Sequence, residues 1–533
     1  MKKTYQHAIE CLNSLQSNAA TIAASTSARE ARRGHTLRDM EVYLRRMGYT
    51  PSDLNRLNVL HITGTKGKGS TAAFVSSLLQ SLNPHASVGL YTSPHLVAVR
   101  ERIRINGHPL SEEGFAKYFF DVWMALDGVG EDEVSDVDSV NNTHSTSTLP
   151  KPAYFRFMTL VAFHTFLAED VDATVLEVGI GGSLDCTNIV PAPAVAAVSS
   201  LGLDHTALLG GTIRAIALNK GGIYKAGAAA LTVPQPEDGE AVLAECAQRV
   251  NAPFGVVDTR DAPANHTLSL PLGLPGVHQA LNARLAVDVV RAFVNAGKSN
   301  KFASWKGELE GHDWRNGLPQ VFVDGLTKAR WPGRCQTVVD PRRPSTTWFL
   351  DGSHTADSLT ACMQWFGGVV RARRERELEV EQPQQHTRTH LIFNCTKGRS
   401  PTELLGVVAA YLTAAGANME TLFTSVIFCT NLTYTSGEFA SDLTARNVDV
   451  LTIQELEVQH ELKAAWNSLL PQFKGCVEVL PSIEAAVDYI DRSESLSVNS
   501  TNNPHSHTHI LVCGSLHLVG GVIEVARLAD VAL

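Results

Sequence analysis

The chain has 533 residues, and its hydrophobic content of 44% and charged content of 19% are those of an ordinary globular protein with roughly two or three domains. Its net charge of −9 gives no support to nucleic acid as a principal partner, because binding to phosphate backbones requires a basic surface. The nine cysteines include no Cys-x-x-Cys pair, which argues against a zinc site and against a disulfide framework.

The N-terminal segment and the hydropathy pattern bear on where the protein works. The residues after Met1 lack the apolar stretch of a secretory signal and the Arg- and Ser-rich character of a transit peptide. No window reaches the roughly 18 apolar residues that a membrane-spanning helix needs. We therefore expect a cytoplasmic protein without a membrane partner, and a mitochondrial isoform made from another start site stays open.

Strand-like and helix-like stretches alternate along the chain, which predicts an α/β fold with largely parallel sheets. In the first part, strands are predicted at 58–63, 87–91, 172–178 and 194–199, and helices at 70–82, 153–169 and 276–296. In the second part, strands are predicted at 346–350, 390–394 and 510–513, and helices at 356–366, 401–414 and 519–528.

Residues 317–333 contain Pro319, Pro332 and several glycines, which is typical of a connection between domains. We therefore predict a first domain over residues 1–328 and a smaller second domain over residues 329–533. Polar or charged stretches at 127–149, 371–388 and 493–509 are predicted to be solvated surface loops.

A glycine-rich segment joins the first predicted strand to the helix that follows it. Backbone amides at the start of a helix lack intrahelical partners and carry partial positive charge, so they favour phosphate oxygens. Lys68 can reach the β- and γ-phosphates of a nucleotide. The strict P-loop pattern requires glycine where Ile62 stands, so this segment is a variant of it. The predicted nucleotide-binding residues are Gly64, Thr65, Lys66, Gly67, Lys68, Gly69 and Ser70.

A carboxylate lies at the end of the otherwise apolar strand predicted at 172–178. Open α/β sheets bind ligands at the carboxyl ends of their strands, and Mg²⁺ prefers hard oxygen ligands. Glu177 is flanked by Leu176 and Val178, and a buried carboxylate without a partner is unfavourable. This pattern favours a magnesium ligand over a carboxylate in a hidden salt bridge.

The segment GTKGKGS at 64–70 resembles the ATP-binding loop of the folylpolyglutamate synthases, a family of the Mur ligase superfamily. The run SPHLVAVRERIRING at 93–107 is similar to the family's folate-side loop. The resemblance covers about residues 5–235, 274–290, 329–366, 391–399 and 511–521. It implies a Mur-ligase-like fold, in which an N-terminal P-loop ATPase domain is followed by a smaller Rossmann-like C-terminal domain.

The resemblance also implies roles for residues of the first domain. Ser93, Glu177 and His205 match the family's magnesium ligands, and Asn282 matches a residue near the adenine. Lys220 matches a lysine that is carbamylated in bacterial relatives and is expected here to stabilise the transferring phosphoryl group. Asn219 replaces the glutamate of those relatives, so carbamylation stays open, and a solvated lysine is the alternative.

The folate-side loop at 93–107 carries three arginines at alternate positions, Arg100, Arg102 and Arg104. Alternating charge is typical of a strand with one exposed face, and we therefore expect a half-exposed strand here. None of these arginines is assigned to a ligand.

In the second domain, the segments WPGR at 331–334 and DGSH at 351–354 resemble family motifs, with Ser353 in place of the usual alanine. The resemblance implies that Arg334 neutralises phosphate charge and that Asp351 contacts the nucleotide. His354 and Ser515 match positions proposed to hold the incoming glutamate. Because the signature is split between two domains, ATP is expected between them, with closure completing the site.

The activity implied by the resemblance is ATP-dependent ligation of L-glutamate to the γ-carboxylate of folates through an acyl phosphate. Lys68, His205, Lys220 and Arg334 are the predicted catalytic residues. ATP and Mg²⁺ are the expected cofactors, and a monovalent cation such as K⁺ stays open. We expect a monomer that takes folate and L-glutamate as its substrates.

Several alternatives stay open from the sequence. A bifunctional enzyme that also joins glutamate to dihydropteroate has nearly the same pattern, although the loop at 93–107 and Asn219 favour the dedicated eukaryotic type. A Mur ligase for cell-wall precursors matches this loop poorly. A non-catalytic P-loop module would not need the second-domain residues Arg334 and Asp351. A scaffold protein would leave Glu177, Asp351 and Lys68 without a role.

Overall fold

The computed structural model describes residues 3–16, 36–127, 151–257, 271–309, 317–379, 387–436, 456–500 and 507–533. The chain divides into two compact units. The first unit comprises residues 1–94, 100–261 and 281–326, and the second comprises residues 95–99, 262–280 and 327–533. The domain limits expected from the sequence, with a boundary after residue 328, stay a prediction.

The first unit is built on an eight-stranded sheet with the strand order β4-β3-β2-β5-β1-β6-β7-β8. All neighbouring strands from β2 to β8 in this order are parallel, whereas β3 pairs antiparallel with both β2 and β4. The strands are β1 (Val59–Thr63), β2 (Val88–Tyr91), β3 (Ile103–Ile105), β4 (His108–Pro109), β5 (Ala173–Glu177), β6 (Val195–Val198), β7 (Ala229–Thr232) and β8 (Phe254–Val256).

The helices of this part of the chain connect and cover these strands. They are α1 (Tyr5–Ser14), α2 (Thr36–Arg46), α3 (Lys68–Leu82), α4 (Glu112–Asp127), α5 (Tyr154–Ala168), α6 (Thr206–Leu209), α7 (Ile213–Gly221), α8 (Gly239–Arg249), α9 (Gln279–Ala296), α10 (Lys306–Leu309) and α11 (Gln320–Lys328). β1 and β5 are buried along their whole length, and most of their residues are apolar, as expected of central parallel strands.

The second unit contains a six-stranded sheet with the strand order β13-β12-β11-β14-β10-β9, which is parallel except for the β9–β10 pair. Its strands are β9 (Gln336–Asp340), β10 (Arg343–Leu350), β11 (Arg388–Phe393), β12 (Ser425–Cys429), β13 (Cys476–Leu480) and β14 (Thr508–Cys513). Its helices are α12 (Ala356–Glu379), α13 (Pro401–Ala414), α14 (Glu457–Leu469), α15 (Ile483–Ser500), α16 (Leu516–Val525) and α17 (Ala529–Ala532).

Alternate side chains along the strands of the second sheet supply two separate cores. Trp348 and Leu350 of β10 belong to one core, together with side chains of α15 and α16. Phe349, between them, belongs to the other core with α12, α13 and α14. Successive residues of a strand point to opposite faces, so a sheet covered on both faces buries neighbouring apolar residues of one strand in different cores.

The structure confirms the predicted α/β class and corrects two of the predicted loops. Residues 371–379 continue α12 and residues 493–500 continue α15. In 371–379 the charged residues are arginine and glutamate, which have high helix propensity. Residue 388 and residues 508–509 belong to strands. Residues 128–149 of the third predicted loop lie outside the described residues, and Asp127 ends α4.

The expectation of a half-exposed strand at the three arginines is wrong. Arg100 and Arg102 lie in a short 3₁₀ helix, Val99–Arg102, and only Ile103–Ile105 is a strand. Arg104 is buried because its guanidinium donates to the carbonyl oxygens of Glu101 (3.2 Å) and Gly107 (3.2 Å). These backbone carbonyl acceptors compensate the burial of the Arg104 charge. The alternating spacing of the arginines in the sequence does not reveal such acceptors.

Among the described residues, no helix combines the length and the apolar character needed to cross a membrane.

A buried polar network joins three strands at the amino-terminal edge of the second sheet. His390 of β11 is fully buried, and its ring is joined to Ser425 Oγ of β12 (2.8 Å) and to Glu494 Oε1 of α15 (3.1 Å). Glu494 also accepts from Thr508 Oγ1 of β14 (2.9 Å) and pairs with Arg388 (3.4 Å). The network therefore ties α15 to the sheet through one carboxylate.

This carboxylate should make stability depend on pH. Burial raises the pKa of Glu494, but the hydrogen bonds from His390 and Thr508 and the neighbouring positive charges outweigh burial and hold it below 4.5. A carboxylate with a depressed pKa stabilises the fold above its unfolded pKa, and this contribution is lost as the pH falls through the folded pKa.

We predict that Glu494→Gln lowers the free energy of unfolding by about 1–2 kcal/mol at pH 7, since a charged acceptor of several hydrogen bonds is lost. The difference should shrink as the pH falls below 4.5, and urea denaturation at several pH values measures it. Glu457→Gln, which alters an exposed pair with Lys397, is the control and should change stability little. A pH-independent difference would contradict the assignment.

Candidate functional site

The glycine-rich loop lies at the carboxyl edge of the first sheet, between the end of β1 and the start of α3. Because β1 lies between β5 and β6, residues that follow these strands are its immediate neighbours. The backbone N–H groups of Thr65 (2.9 Å) and Lys66 (3.1 Å) donate to the carbonyl oxygen of Ser200, after β6. Ser199 Oγ donates to the carbonyl oxygen of Lys66 (2.6 Å). The segment after β6 therefore holds the loop in place.

Two glycines are required by the shape of this loop. Gly64 and Gly67 have φ angles of 152° and 87°, a region that residues with side chains rarely adopt. A Cβ atom would overlap Ser199 Oγ at position 64 and Asn282 Oδ1 at position 67. Asn282, predicted to lie near a nucleotide, thus packs directly against the loop.

The helix that follows begins without a side-chain cap. Gly67 occupies the N-cap of α3 and has no side chain that could cap the helix. Such amides, with the partial positive charge of a 15-residue helix, form a site suited to phosphate oxygens.

Two lysines converge on one carbonyl oxygen of the loop. Lys68 Nζ donates to the carbonyl oxygens of Gly64 (3.0 Å) and Thr65 (3.4 Å), and Lys220 Nζ donates to that of Gly64 (2.6 Å). Lys220 is only 3% exposed, so the alternative of a solvated lysine is wrong. Burial, and then the charge of Lys68, lowers the pKa of Lys220 to about 7.

The other lysine of the loop, Lys66, has an acidic partner. Lys66 Nζ lies 3.4 Å from Asp204 Oδ2, and Asp204 Oδ1 accepts the backbone N–H of His205 (2.9 Å). Burial raises the pKa of Asp204, but Lys66 and His205 outweigh burial and hold it below the ordinary value. The loop therefore combines positive charge with one ionised carboxylate.

Two of the three predicted magnesium ligands are in contact. Glu177 ends β5, is 3% exposed, and accepts the backbone N–H of Ser93 at Oε2 (2.9 Å). Ser93 follows β2, the neighbour of β5, so adjacent parallel strands deliver both residues to one edge. A carboxylate and a hydroxyl are hard oxygen donors and fit Mg²⁺.

His205, the third predicted ligand, lies after β6 on an exposed turn. Its φ of 50° places it at the N-cap of α6. Within the described part of the chain, no group of three or more His, Cys, Asp and Glu side chains is arranged to hold a metal.

Asp185 was not identified from the sequence, yet it shapes the loop that follows Glu177. Its carboxylate accepts the backbone N–H groups of Gly179 (3.2 Å), Ile180 (3.3 Å) and Thr187 (2.9 Å). Burial raises its pKa, and these hydrogen bonds oppose the rise. The sequence signal that could have identified Asp185 is a carboxylate within a glycine-rich segment. A sharply bent backbone leaves amide N–H groups without backbone acceptors, and a nearby carboxylate can accept their hydrogen bonds.

The predicted residues of the second unit lie at the carboxyl edge of the second sheet. Asp351 follows β10, is 6% exposed, and accepts the backbone N–H groups of Cys335 (2.7 Å) and Ser353 (2.9 Å). His354 Nδ1 is joined to the carbonyl oxygen of Gly352 (3.1 Å). Ser515 follows β14 and caps α16. All these positions follow neighbouring parallel strands, where ligands bind in α/β sheets.

Comparison with known proteins places these features in a family. No protein-family model matches the chain. Folylpolyglutamate synthase from Saccharomyces cerevisiae (strain ATCC 204508 / S288c) is 40% identical over 531 residues, which cover 99% of this chain and 88% of that protein.

Solved structures agree with the fold. Mycobacterium tuberculosis folylpolyglutamate synthase complexed with ADP and AMPPCP has a TM-score of 0.62 and 22% identity, covering 95% of this chain and 98% of that chain. A structure described as an FPGS–AMPPCP–folate complex has a TM-score of 0.59 and 21% identity, covering 98% of this chain and 99% of that chain. At this identity the structural likeness concerns the fold, and it confirms the predicted fold class.

The buried Lys220 leads to a prediction about stability. The unfolded state binds more protons than the folded state between pH 7 and 10.5, so this group's contribution to stability rises with pH across that interval. We predict that the wild type gains stability relative to Lys220→Met by more than about 1 kcal/mol between pH 7 and 9.5, since one pKa unit corresponds to about 1.4 kcal/mol.

Urea denaturation at both pH values provides the measurement, with Lys474→Met at an exposed position as the matched control. If the difference between the wild type and Lys220→Met stayed constant with pH, the shifted pKa would be refuted.

Proposed function

Because the chain belongs to the folylpolyglutamate synthase family, we propose that it ligates L-glutamate to the γ-carboxylate of folates with ATP as the energy source. It is an ADP-forming acid–amino-acid ligase. The observation that carries the proposal is the convergence of Lys68 and Lys220 on the carbonyl oxygen of Gly64, at the start of an uncapped helix. This arrangement is suited to a triphosphate.

The reaction has two bond-forming steps. An oxygen of the folate γ-carboxylate attacks the γ-phosphorus of ATP, the bond to ADP breaks, and an acyl phosphate forms. The amino nitrogen of glutamate then attacks the acyl carbon, inorganic phosphate leaves, and the nitrogen loses a proton as the amide forms. Positioning and charge stabilisation dominate phosphoryl transfer, so the protein must hold the phosphates and offset their charge.

Lys68 and Lys220 supply this positive charge, and they differ in how exposed they are to solvent. Lys68 is partly exposed at the start of α3, and its long flexible side chain is suited to reach phosphates bound at the loop. Lys220 is buried behind the loop and holds the Gly64 carbonyl oxygen. An incoming triphosphate favours the charged form of Lys220, because an opposite charge raises the pKa of a lysine.

We propose magnesium as the metal cofactor, held through Ser93 and Glu177, with His205 as the third ligand. When bound, Mg²⁺ offsets the negative charge of the phosphates. Glu177 is already oriented by the N–H of Ser93, so one of its oxygens has a fixed direction. That preorganisation is expected to favour a small cation that demands strict geometry.

The remaining roles are proposed from the family pattern. Arg334 offsets charge on the transferring phosphoryl group, and Asp351 contributes to nucleotide binding. His354 and Ser515 hold the incoming glutamate. We further propose that the protein is a cytoplasmic monomer.

The experiment that tests the function is mass spectrometry of folate incubated with glutamate, ATP and Mg²⁺. We expect successive additions of glutamyl residues by the wild type, and a loss of turnover by at least about 10²–10³ for Lys68→Ala, since it removes a preorganised charge. Lys474→Ala, at an exposed site, is the control and should retain activity. Equal turnover by Lys68→Ala and the wild type would reject its role.

A parallel reaction with dihydropteroate as the acceptor distinguishes the dedicated synthase from the bifunctional alternative. The dedicated type, which we propose, gives no dihydropteroyl-glutamate. Product formation there would establish the bifunctional enzyme. Binding of ATP without any glutamylated product in either reaction would instead support the non-catalytic module.

A magnesium titration tests the proposed ligand set. We predict that Glu177→Gln raises the Mg²⁺ concentration for half-maximal activity by about tenfold or more, because a neutral amide is a weaker ligand for a hard cation. The Gln side chain can still accept the N–H of Ser93, so the fold should survive. An unchanged magnesium requirement would remove Glu177 from the metal site.

A further inference from the structure

A glutamine of the first unit binds the segment that follows β6. Gln235 lies just after β7, the strand next to β6 in the sheet. Its Nε2 donates to the carbonyl oxygen of Ser199 (3.0 Å), and its Oε1 accepts the backbone N–H of Leu201 (2.8 Å). Nε2 also donates to Thr232 Oγ1 (2.8 Å), at the end of β7. One amide group therefore joins the ends of two neighbouring strands.

The two contacts with the segment after β6 require an amide side chain. The carbonyl oxygen of Ser199 can only accept a hydrogen bond, and the N–H of Leu201 can only donate one. These partners therefore fix which end of the Gln235 amide carries the nitrogen. A carboxylate could bind only the N–H of Leu201, and an apolar side chain could bind neither group.

The backbone around Gln235 restricts the directions in which its side chain can point. Pro234 and Pro236 flank it, and a proline fixes its own φ angle and also limits the conformation of the residue before it. Gly239 packs close to the glutamine, because a Cβ atom there would lie 3.3 Å from the Cβ atom of Gln235. A restricted stretch of backbone thus presents the amide to the segment after β6.

The segment that Gln235 binds also holds the glycine-rich loop. We call residues 64–67 the phosphate loop and residues 199–202 the β6 segment. Thr65 Oγ1 donates to the carbonyl oxygen of Gly202 (3.1 Å), in addition to the hydrogen bonds between the loop and the β6 segment described above. The β6 segment therefore links Gln235 to the phosphate loop through an unbroken series of hydrogen bonds.

We propose that Gln235 is a positioning residue, which fixes the β6 segment and thereby keeps the phosphate loop in the shape that binds a triphosphate. It acts through the backbone of Ser199 and Leu201. A loop that loses such support spends less time in its binding shape, and the apparent affinity for the ligand falls by the same fraction. The inference rests on the proposed function only for the identity of the ligand at the loop.

Nucleotide binding by purified variants tests the proposal. Gln235→Met keeps the length of the side chain but loses all three hydrogen bonds. We expect it to weaken the binding of ADP with Mg²⁺ about tenfold, as measured by isothermal titration calorimetry. In steady-state assays, the KM for ATP should rise by a similar factor while the KM for glutamate stays unchanged. Affinity for ADP equal to that of the wild type would overturn the proposal.

A second variant separates the donor from the acceptor of the amide. Gln235→Glu keeps an acceptor for the N–H of Leu201, but at neutral pH it has no hydrogen for the carbonyl oxygen of Ser199. We expect it to weaken ADP binding to a similar extent, because two oxygen acceptors would then face each other. Full affinity in Gln235→Glu would overturn the proposed anchoring of Ser199.

Tyr224→Phe is the matched control for a lost hydrogen bond at the same strand. The hydroxyl of Tyr224 donates to the carbonyl oxygen of Leu231 in β7 (3.1 Å), and not to the β6 segment. This variant should bind ADP as the wild type does. An equal loss of affinity in Tyr224→Phe and Gln235→Met would indicate a general effect of destabilisation and would overturn the proposal.

Hydrogen exchange provides a readout that requires neither nucleotide nor activity. The backbone amides of residues 65 and 66 donate to the β6 segment. Peptides covering the phosphate loop should therefore exchange faster in Gln235→Met than in the wild type or Tyr224→Phe. Faster exchange confined to the β6 segment would overturn the proposal. If the wild type neither bound ADP nor glutamylated folate, the proposed function would fail, and the exchange of the phosphate loop would still decide the role of Gln235.

Discussion

The carbonyl oxygen of Gly64 accepts hydrogen bonds from two ammonium groups, and the chemistry of the first unit depends on this contact. It brings Lys68 and Lys220, which are 152 positions apart in the sequence, to one turn of backbone. Like charges so close together are unfavourable, and the protein accommodates them by burying one lysine until its pKa falls to about 7. A polyanion that reaches the loop reverses this disadvantage, because each negative charge favours both ammonium groups. An acidic chain can therefore bind a triphosphate, since the positive charge is local.

Both sheets use a carboxylate at the end of a strand, but each carboxylate has a different set of partners. Glu177 accepts the backbone N–H of Ser93 from the neighbouring strand, which directs a buried acidic group to the edge of the sheet. Asp351 accepts two backbone N–H groups, from Cys335 and Ser353, and so holds two segments together. The first arrangement suits a metal ligand. The arrangement at Asp351 gives this residue a structural function, in addition to the nucleotide contact that the family pattern implies.

The opposite edge of the second sheet shows that buried polar groups also serve stability. His390, Ser425 and Glu494 form a chain of hydrogen bonds far from the strand ends at which ligands bind. Their burial is compensated because each side chain has a partner, as buried polar groups require. Sequence reasoning found no role for these residues, since they are widely separated and each lies in an ordinary strand or helix.

The sequence by itself determined the α/β class, the positions of the central strands, and the glycine-rich loop with Lys68, because local periodicity and turn chemistry carry this information. It also indicated Glu177, whose charge interrupts an apolar strand. Tertiary structure alone decided that Lys220 is buried, that Asp185 supports the loop after Glu177, and that Cys335 contacts Asp351. These facts depend on the order and register of strands far apart in the chain, which no local pattern records.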